Sequence, residues 1–316
     1  MKKLLITRAM PEATIAAAQE RFEVDLRDSI DGMMPDEAAA ALAAYDVILP
    51  TLGDQFNAEA FAGNIRCKLL ANFGVGFNHI DVAAARAAGV AVTNTPDAVT
   101  DATADLAMTL ILSACRRAGE GERLLRSGRW LGWQPTQMLG THVTGKRLGI
   151  IGMGRIGQAV AKRGHFGFGM PVIYYNRSEK EVDVPSRQVE SLSALMSQAD
   201  IIVVTVPGGG SNTNLISAEM IAEMQKTAVL INVARGDVVD EPALIAALQE
   251  GRIAAAGLDV YAREPLVPQA LRDLENVVLL PHLGTAALEV REAMGQMAVD
   301  NLIAWDTGEV LPNLVN

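Results

Sequence analysis

Residues 148–157 read LGIIGMGRIG, and this stretch decides the fold. An apolar run leads into Gly152, Gly154 and Gly157, spaced as G-x-G-x-x-G, and a helical pattern (Ile156, Ala159, Val160) follows. Each glycine has a physical reason. The first allows a tight turn, the second lets backbone approach a pyrophosphate, and the third lets helix pack on strand. The helix opening near Arg155 offers unpaired N–H groups and the positive end of its dipole to phosphate. A glycine motif between strand and helix predicts a dinucleotide site.

The next predicted strand ends in Tyr174–Tyr175–Asn176–Arg177–Ser178, and Asn176 lies 19 residues after Gly157. A carboxylate at this place binds the ribose hydroxyls of NAD and repels a 2′-phosphate. Here the residue is neutral, and Arg177 and Ser178 follow. Guanidinium pairs well with phosphate oxygens. The expected cofactor is NADP(H) in preference to NAD(H), with NAD(H) still open.

Outward from the motif, short apolar runs alternate with helical stretches. Arg147–Ile151, Val172–Tyr175, Ile201–Val206, Val229–Val233, Ala255–Asp259 and Val277–Leu280 read as strands buried on both faces. Upstream, Leu4–Thr7, Val47–Leu49 and Lys68–Asn72 read as strands, and residues 11–21, 35–44 and 57–63 as helices. This alternation predicts an α/β fold with doubly wound parallel sheets. A boundary is expected near Asn94–Ala98, before an apolar helix over Ala102–Arg116. A last helix, Leu288–Trp305, is expected to return to the first domain.

Composition narrows the function. The formal net charge is −10. No Lys/Arg block stands against it, which argues against nucleic acid and anionic membranes. An anionic ligand must therefore be held by a local site. The apolar run Leu4–Ile6 is shorter than the roughly 7–15 residues of a secretory core, and no run reaches the roughly 18 residues of a membrane helix. Two cysteines, Cys67 and Cys115, form no metal-like spacing and fit a reducing compartment. The expected location is the cytoplasm. HExxH, CxxC and DxDxDG are absent, so no metal is expected.

Three segments fall just past predicted strands: NVARG (232–236), GLDVYAREP (257–265) and LPHLGTA (280–286). Open α/β sheets bind ligands at that edge. Reduction of a 2-oxo acid requires a cation for the carboxylate and carbonyl, an acid to protonate the oxygen, and a group that keeps the acid protonated. Arg235, His282 and Glu264 match these needs in type. Histidine titrates in the useful range, and a nearby carboxylate favours its charged form.

With ANFGVGFNHID (71–81) and NVARGDVVDEPAL (232–244), these segments occur in the order and spacing of a known family. The sequence resembles the D-isomer-specific 2-hydroxyacid dehydrogenases over nearly its whole length. The resemblance implies two Rossmann-like domains with the active site in the cleft between them. Residues 1–97 plus 287–316 would form a flavodoxin-like substrate domain, and 98–286 the NAD(P)-binding domain. It implies that Arg235 binds substrate, that His282 is the proton donor or acceptor, and that Glu264 pairs with it. Leu52, Val75 and Gly76 would contact substrate, the last two through backbone N–H. Thr103, Arg155, Ile156, Val206, Pro207, Val233, Ala234, Asp259 and Gly284 would join the glycines and residues 176–178 around the cofactor. It also implies a homodimer.

TPDAVTDATADLAMTL (95–110) and Trp130–Pro135 look most like glyoxylate and hydroxypyruvate reductases. The expected reaction is reduction of such a small 2-oxo acid to the D-2-hydroxy acid. Trp133 serves either a partner's substrate pocket or dimer packing. Two departures stand out: residues 207–212 read PGGGSN, richer in glycine than the usual family loop, and Asn78–His79 replaces a common Asp-Asn pair. The alternatives are a short-form phosphoglycerate dehydrogenase and a non-catalytic dinucleotide sensor. Turnover with a 2-oxo acid separates the sensor from the enzyme.

Overall fold

The computed structural model describes residues 1–316. The chain divides into two compact units, Met1–Val99 with Thr285–Asn316, and Thr100–Gly284. The first holds five parallel strands: β1 (Lys2–Ile6), β2 (Phe22–Leu26), β3 (Val47–Leu49), β4 (Leu69–Ala71) and β5 (Ala91–Thr93), in the order β2-β1-β3-β4-β5. That is the flavodoxin-like order. The second holds seven: β6 (Leu148–Ile151), β7 (Val172–Tyr175), β8 (Ser186–Gln188), β9 (Ile201–Val204), β10 (Val229–Asn232), β11 (Ala255–Leu258) and β12 (Val277–Leu279). Their order is β12-β11-β10-β9-β6-β7-β8, all parallel, which is Rossmann order with one added strand.

The two-residue period of a strand explains why the central strands are apolar throughout. Leu148, Ile150, Ile201, Val203, Val229 and Ile231 enter one core, and Ile151, Ile202, Val204, Leu230 and Ala256 enter the core on the opposite face. In the first unit, Leu4, Ile6, Val47 and Leu49 face one layer while Leu5, Ile48 and Leu70 face the other. Burial on both faces requires helices above and below each sheet.

Helix Thr100–Cys115 opens the second unit and buries Ala104, Ala107, Leu110 and Ile111. Helix Leu288–Thr307 belongs to the first unit and buries Met294, Ala298, Val299 and Leu302. It lies so close to helix Glu12–Gln19 that a Cβ on Gly295 would stand 1.9 Å from Thr14 Oγ1. The chain end is tied to β5, where Val315 N–H donates to the Val92 carbonyl at 2.8 Å.

The structure departs from the sequence reading where the apolar signal is weak. β2 and β8 are edge strands, FEVDL and SRQ, with few buried side chains and no apolar run. Residues 57–63 contain only a 3-10 turn, Ala58–Phe61, capped by Asn57 Oδ1, which accepts Ala60 N–H at 3.2 Å. No helix is long and apolar enough to cross a membrane.

Candidate active site

Strand order reverses between β6 and β9, and the carboxyl ends of these strands are where a doubly wound sheet opens a crevice. Gly152 leaves β6 with φ +97°, and its N–H donates to the Tyr175 carbonyl at 3.0 Å. A Cβ on Gly152 would stand 2.7 Å from Val206 Cγ1, and one on Gly157 2.2 Å from the Gly152 carbonyl oxygen. A Cβ on Gly154 would meet nothing within 4 Å. Two glycines thus pack tightly and the middle one faces open space, at the start of helix Arg155–Phe168. This fits a phosphate-bearing ligand approaching the helix N-terminus.

Asn176 spans the loop. Its Oδ1 accepts Met153 N–H at 3.3 Å, and its Nδ2 donates to the Ser178 carbonyl at 2.8 Å. Arg177 and Ser178 are exposed. Thr103 is buried, and its hydroxyl donates to the Gly284 carbonyl at 3.3 Å. Val233 and Ala234 are buried just past β10, while Val206 and Pro207 follow β9.

The ends of β10, β11 and β12 bring four predicted residues together. His282 Nδ1 lies 2.7 Å from Glu264 Oε2, and Glu264 Oε1 accepts Tyr261 N–H at 3.0 Å. His282 has φ 55°, a left-handed backbone unusual for a residue with a side chain. Asp259 holds it there. Its carbonyl accepts His282 N–H at 2.9 Å, and its carboxylate accepts Leu283 and Gly284 N–H at 2.6 and 2.9 Å. Burial raises the Asp259 carboxyl above its ordinary range, and these N–H bonds oppose the shift. Tyr261 completes the frame, donating to the Leu280 carbonyl at 2.8 Å.

Glu264 is partly screened from solvent, which pushes its carboxyl up. The hydrogen bond and charge of His282, the Tyr261 N–H and the charge of Arg235 push harder the other way, and the net direction is down. The carboxylate form is therefore favoured beside the imidazole. Arg235 is set by Asn232, whose Nδ2 donates to the Arg235 carbonyl at 2.9 Å and whose Oδ1 accepts Ala234 N–H at 3.0 Å. A Cβ on Gly236 would stand 1.8 Å from the Tyr261 carbonyl carbon, so the arginine loop abuts the loop bearing Glu264. Burial pulls the Arg235 guanidinium down against the charges of Glu264 and Asp237. It donates to the Ala234 carbonyl at 2.7 Å and forms no ion pair. A desolvated guanidinium with most of its donors unused is built to receive an anion.

In the first unit, Leu52, Val75 and Gly76 follow β3 and β4 at the carboxyl edge. Asn72 Nδ2 donates to the Gly74 and Gly76 carbonyls at 3.0 and 3.1 Å, and Asn94 Nδ2 to the Val75 carbonyl at 2.9 Å. With three successive carbonyls tied down, the Val75 and Gly76 N–H groups take no partner within the chain. The Leu52 turn is fixed by buried Asp54, which accepts the Thr7 hydroxyl at 2.6 Å, Thr51 N–H at 2.8 Å and Met33 N–H at 3.0 Å. Asn72, Asn94, Asn232, Asp54 and Tyr261 were not singled out from sequence. Their signal is an Asn, Asp or Tyr at a strand's end or in the loop beyond it, which alone does not separate a loop clamp from an ordinary turn.

Residues 108–284 match the model for the NAD binding domain of D-isomer specific 2-hydroxyacid dehydrogenases. The chain is 43% identical to the glyoxylate reductase of Thermococcus kodakarensis, covering 99% of this chain and 96% of that protein. It is 42% identical to the glyoxylate reductase of Pyrococcus horikoshii at the same coverage. Among solved structures, an NADPH-dependent glyoxylate/hydroxypyruvate reductase from Sinorhizobium meliloti in complex with NADP and malonate is similar. Its TM-score is 0.89 at 34% identity, covering 99% of this chain and 96% of that one. A D-isomer specific 2-hydroxyacid dehydrogenase structure from Polaromonas aligns with a TM-score of 0.92 at 37% identity over both whole chains.

Proposed function

This chain belongs to the D-isomer specific 2-hydroxyacid dehydrogenases, and on that premise we propose that it reduces glyoxylate or hydroxypyruvate to the D-2-hydroxy acid, with NADPH preferred over NADH. One observation carries the reading. The half-buried, ion-pair-free guanidinium of Arg235 shares a short loop frame with a hydrogen-bonded His282–Glu264 pair.

Each residue follows from its contacts. Arg235 pairs with the substrate carboxylate and draws charge toward the carbonyl oxygen. His282 is held through Nδ1 by Glu264, so its Nε2 delivers the proton to that oxygen. Glu264 stays ionised and stabilises the imidazolium before the transfer. In oxidation of the hydroxy acid, the same Nε2 takes the proton. Leu52, Val75 and Gly76 are assigned to substrate as well, Val75 and Gly76 through N–H groups without internal partners.

The glycine loop suits the pyrophosphate, with Gly152 and Gly157 packed and Gly154 open. Arg155, Ile156, Val206, Pro207, Val233, Ala234, Thr103, Asp259 and Gly284 are assigned to the rest of the dinucleotide. A bound reduced nicotinamide supplies the hydride. NADPH preference rests on neutral Asn176 and the exposed Arg177 and Ser178, which offer a guanidinium and a hydroxyl to a 2′-phosphate.

A homodimer is proposed because Leu125, Trp130, Leu131, Trp133 and Leu139 stand exposed along one segment, Trp133 at 80%. Aromatic side chains in such a cluster mark interfaces.

Initial rates with NADPH and NADH against glyoxylate and hydroxypyruvate, followed by nicotinamide absorbance, test the reading. Fast oxidation of NADPH and slow oxidation of NADH support it. Tight cofactor binding without turnover of either acid overturns the substrate assignment, and turnover of a phosphorylated hydroxy acid instead points to a short-form phosphoglycerate dehydrogenase.

A further inference from the structure

The glycine run 208–210 is a departure from the family loop to which the reaction described above gives no task. Gly209 and Gly210 have φ +74° and +55°, so their need for glycine is conformational. Gly208 has no such φ, and an alanine there would meet no backbone strain. What excludes a side chain is volume. A Cβ on Gly208 would stand 2.7 Å from Cγ and 2.8 Å from Cβ of Arg235, and 2.7 Å from Asp237 Oδ1. The arginine atoms are the stem next to the backbone, which cannot swing aside as the far end of a long side chain can.

The loop is also fastened where it crosses Arg235. Gly209 N–H donates to Asp237 Oδ2 at 2.7 Å, and Asn214 N–H donates to the Asp237 carbonyl at 2.8 Å. Asn212 Nδ2 donates to the Pro207 carbonyl at 2.9 Å, closing the turn on itself. The stem of Arg235 therefore rests on bare backbone that is held from both ends. Its own backbone is held from the other side by Asn232.

We propose that Gly208 is a positioning residue for Arg235: the missing side chain makes the seat that aims the guanidinium at the substrate carboxylate. The inference rests on the assignment of Arg235 to substrate. A methyl group at 208 displaces the stem, and a fork that must meet a carboxylate in two places tolerates little displacement.

The test is a double-mutant cycle of Gly208→Ala and Arg235→Ala, with glyoxylate varied at saturating NADPH, and NADPH affinity measured by nucleotide fluorescence. Gly208→Ala is expected to raise the KM for glyoxylate about tenfold, in line with the cost of overpacking. Its NADPH Kd is expected to stay within about twofold. In the Arg235→Ala background, Gly208→Ala is expected to cost nothing further in kcat/KM, because no guanidinium is left to aim. Equal losses in both backgrounds, or no loss in the first, overturn the proposal. Unchanged kcat/KM in Arg235→Ala alone overturns the substrate assignment itself, and the positioning role with it. Should Gly208→Ala fail to fold, Asn212→Ala loosens the same loop from the surface. It is expected to raise KM about threefold only while Arg235 is present, and an equal rise without Arg235 overturns the proposal.

Discussion

Glu264 and His282 meet at 2.7 Å through Oε2 and Nδ1, and the other carboxylate oxygen is taken by Tyr261 N–H at 3.0 Å. Both oxygens are thus committed and the imidazole is oriented through Nδ1, which leaves Nε2 for the proposed proton transfer. The net lowering of the Glu264 carboxyl has a definite sign for stability. Burial raises it, the His282 bond and neighbouring charges outweigh burial, and the folded value lies below the ordinary 4.5. A depressed carboxyl stabilises the fold fully above its unfolded value and loses that contribution as pH falls through the folded one. The Tm gap between the parent protein and Glu264→Gln is therefore expected to narrow from about pH 6 to about pH 3. A gap independent of pH in thermal melts rejects this electrostatic account.

His282→Gln keeps a side chain of similar reach but carries no transferable proton. It is expected to lower kcat about 10²- to 10⁴-fold, the usual worth of a positioned acid. NADPH affinity, measured by fluorescence titration, is expected to be retained. Undiminished kcat excludes His282 as the proton donor.

Sequence carried the second unit further than the first, for a physical reason. Strands buried on both faces write their burial as unbroken apolar runs, and β6, β9 and β10 are legible on that ground alone. The edge strands β2 and β8 are closed on one side only and carry Glu23, Asp25 and Arg187, so nothing in their composition announces pairing. At the candidate site, Arg235, Glu264 and His282 stand out in the sequence because few residue types can hold a carboxylate or move a proton. Their supports do not. Asn232, Asn72 and Tyr261 act through backbone atoms brought near by strand order, and a sequence shows the side chain without the carbonyl it will meet. PGGGSN shows the same limit: its composition is plain in the sequence, but the packing of Gly208 against Arg235 arises only when the loops after β9 and β10 come together in the fold.

Asn72 offers a test of the loop that presents Val75 and Gly76. Its Nδ2 serves two carbonyls at 3.0 and 3.1 Å, and its Oδ1 is buried without a partner. Asn72→Asp has nearly the same shape but places oxygen against oxygen. The loop is expected to release its carbonyls and lose the alignment of its N–H groups. The KM for glyoxylate is expected to rise about tenfold, as for one charge-assisted hydrogen bond. An unchanged KM in steady-state kinetics removes Val75 and Gly76 from the substrate site.

Arg177 is expected to discriminate between the two cofactors. Asn176 is spent on Met153 N–H and the Ser178 carbonyl, so its side chain shapes the loop, and the proposed discrimination falls to its neighbours. Arg177 is exposed, and a guanidinium in solvent gains most from a dianion that NADH lacks. Arg177→Ala is expected to weaken NADPH about tenfold at low ionic strength, in keeping with a charge-assisted bond to phosphate. NADH should change little, because it presents nothing for the guanidinium to hold. Since the group is exposed, salt screens it, and the NADPH penalty is expected to shrink as ionic strength rises past about 0.15 M. Cofactor titrations at two salt concentrations decide the matter. Equal loss for both cofactors assigns Arg177 to the shared pyrophosphate or to loop folding. A salt-independent loss of NADPH alone points to a buried contact that forms only when the nucleotide is bound.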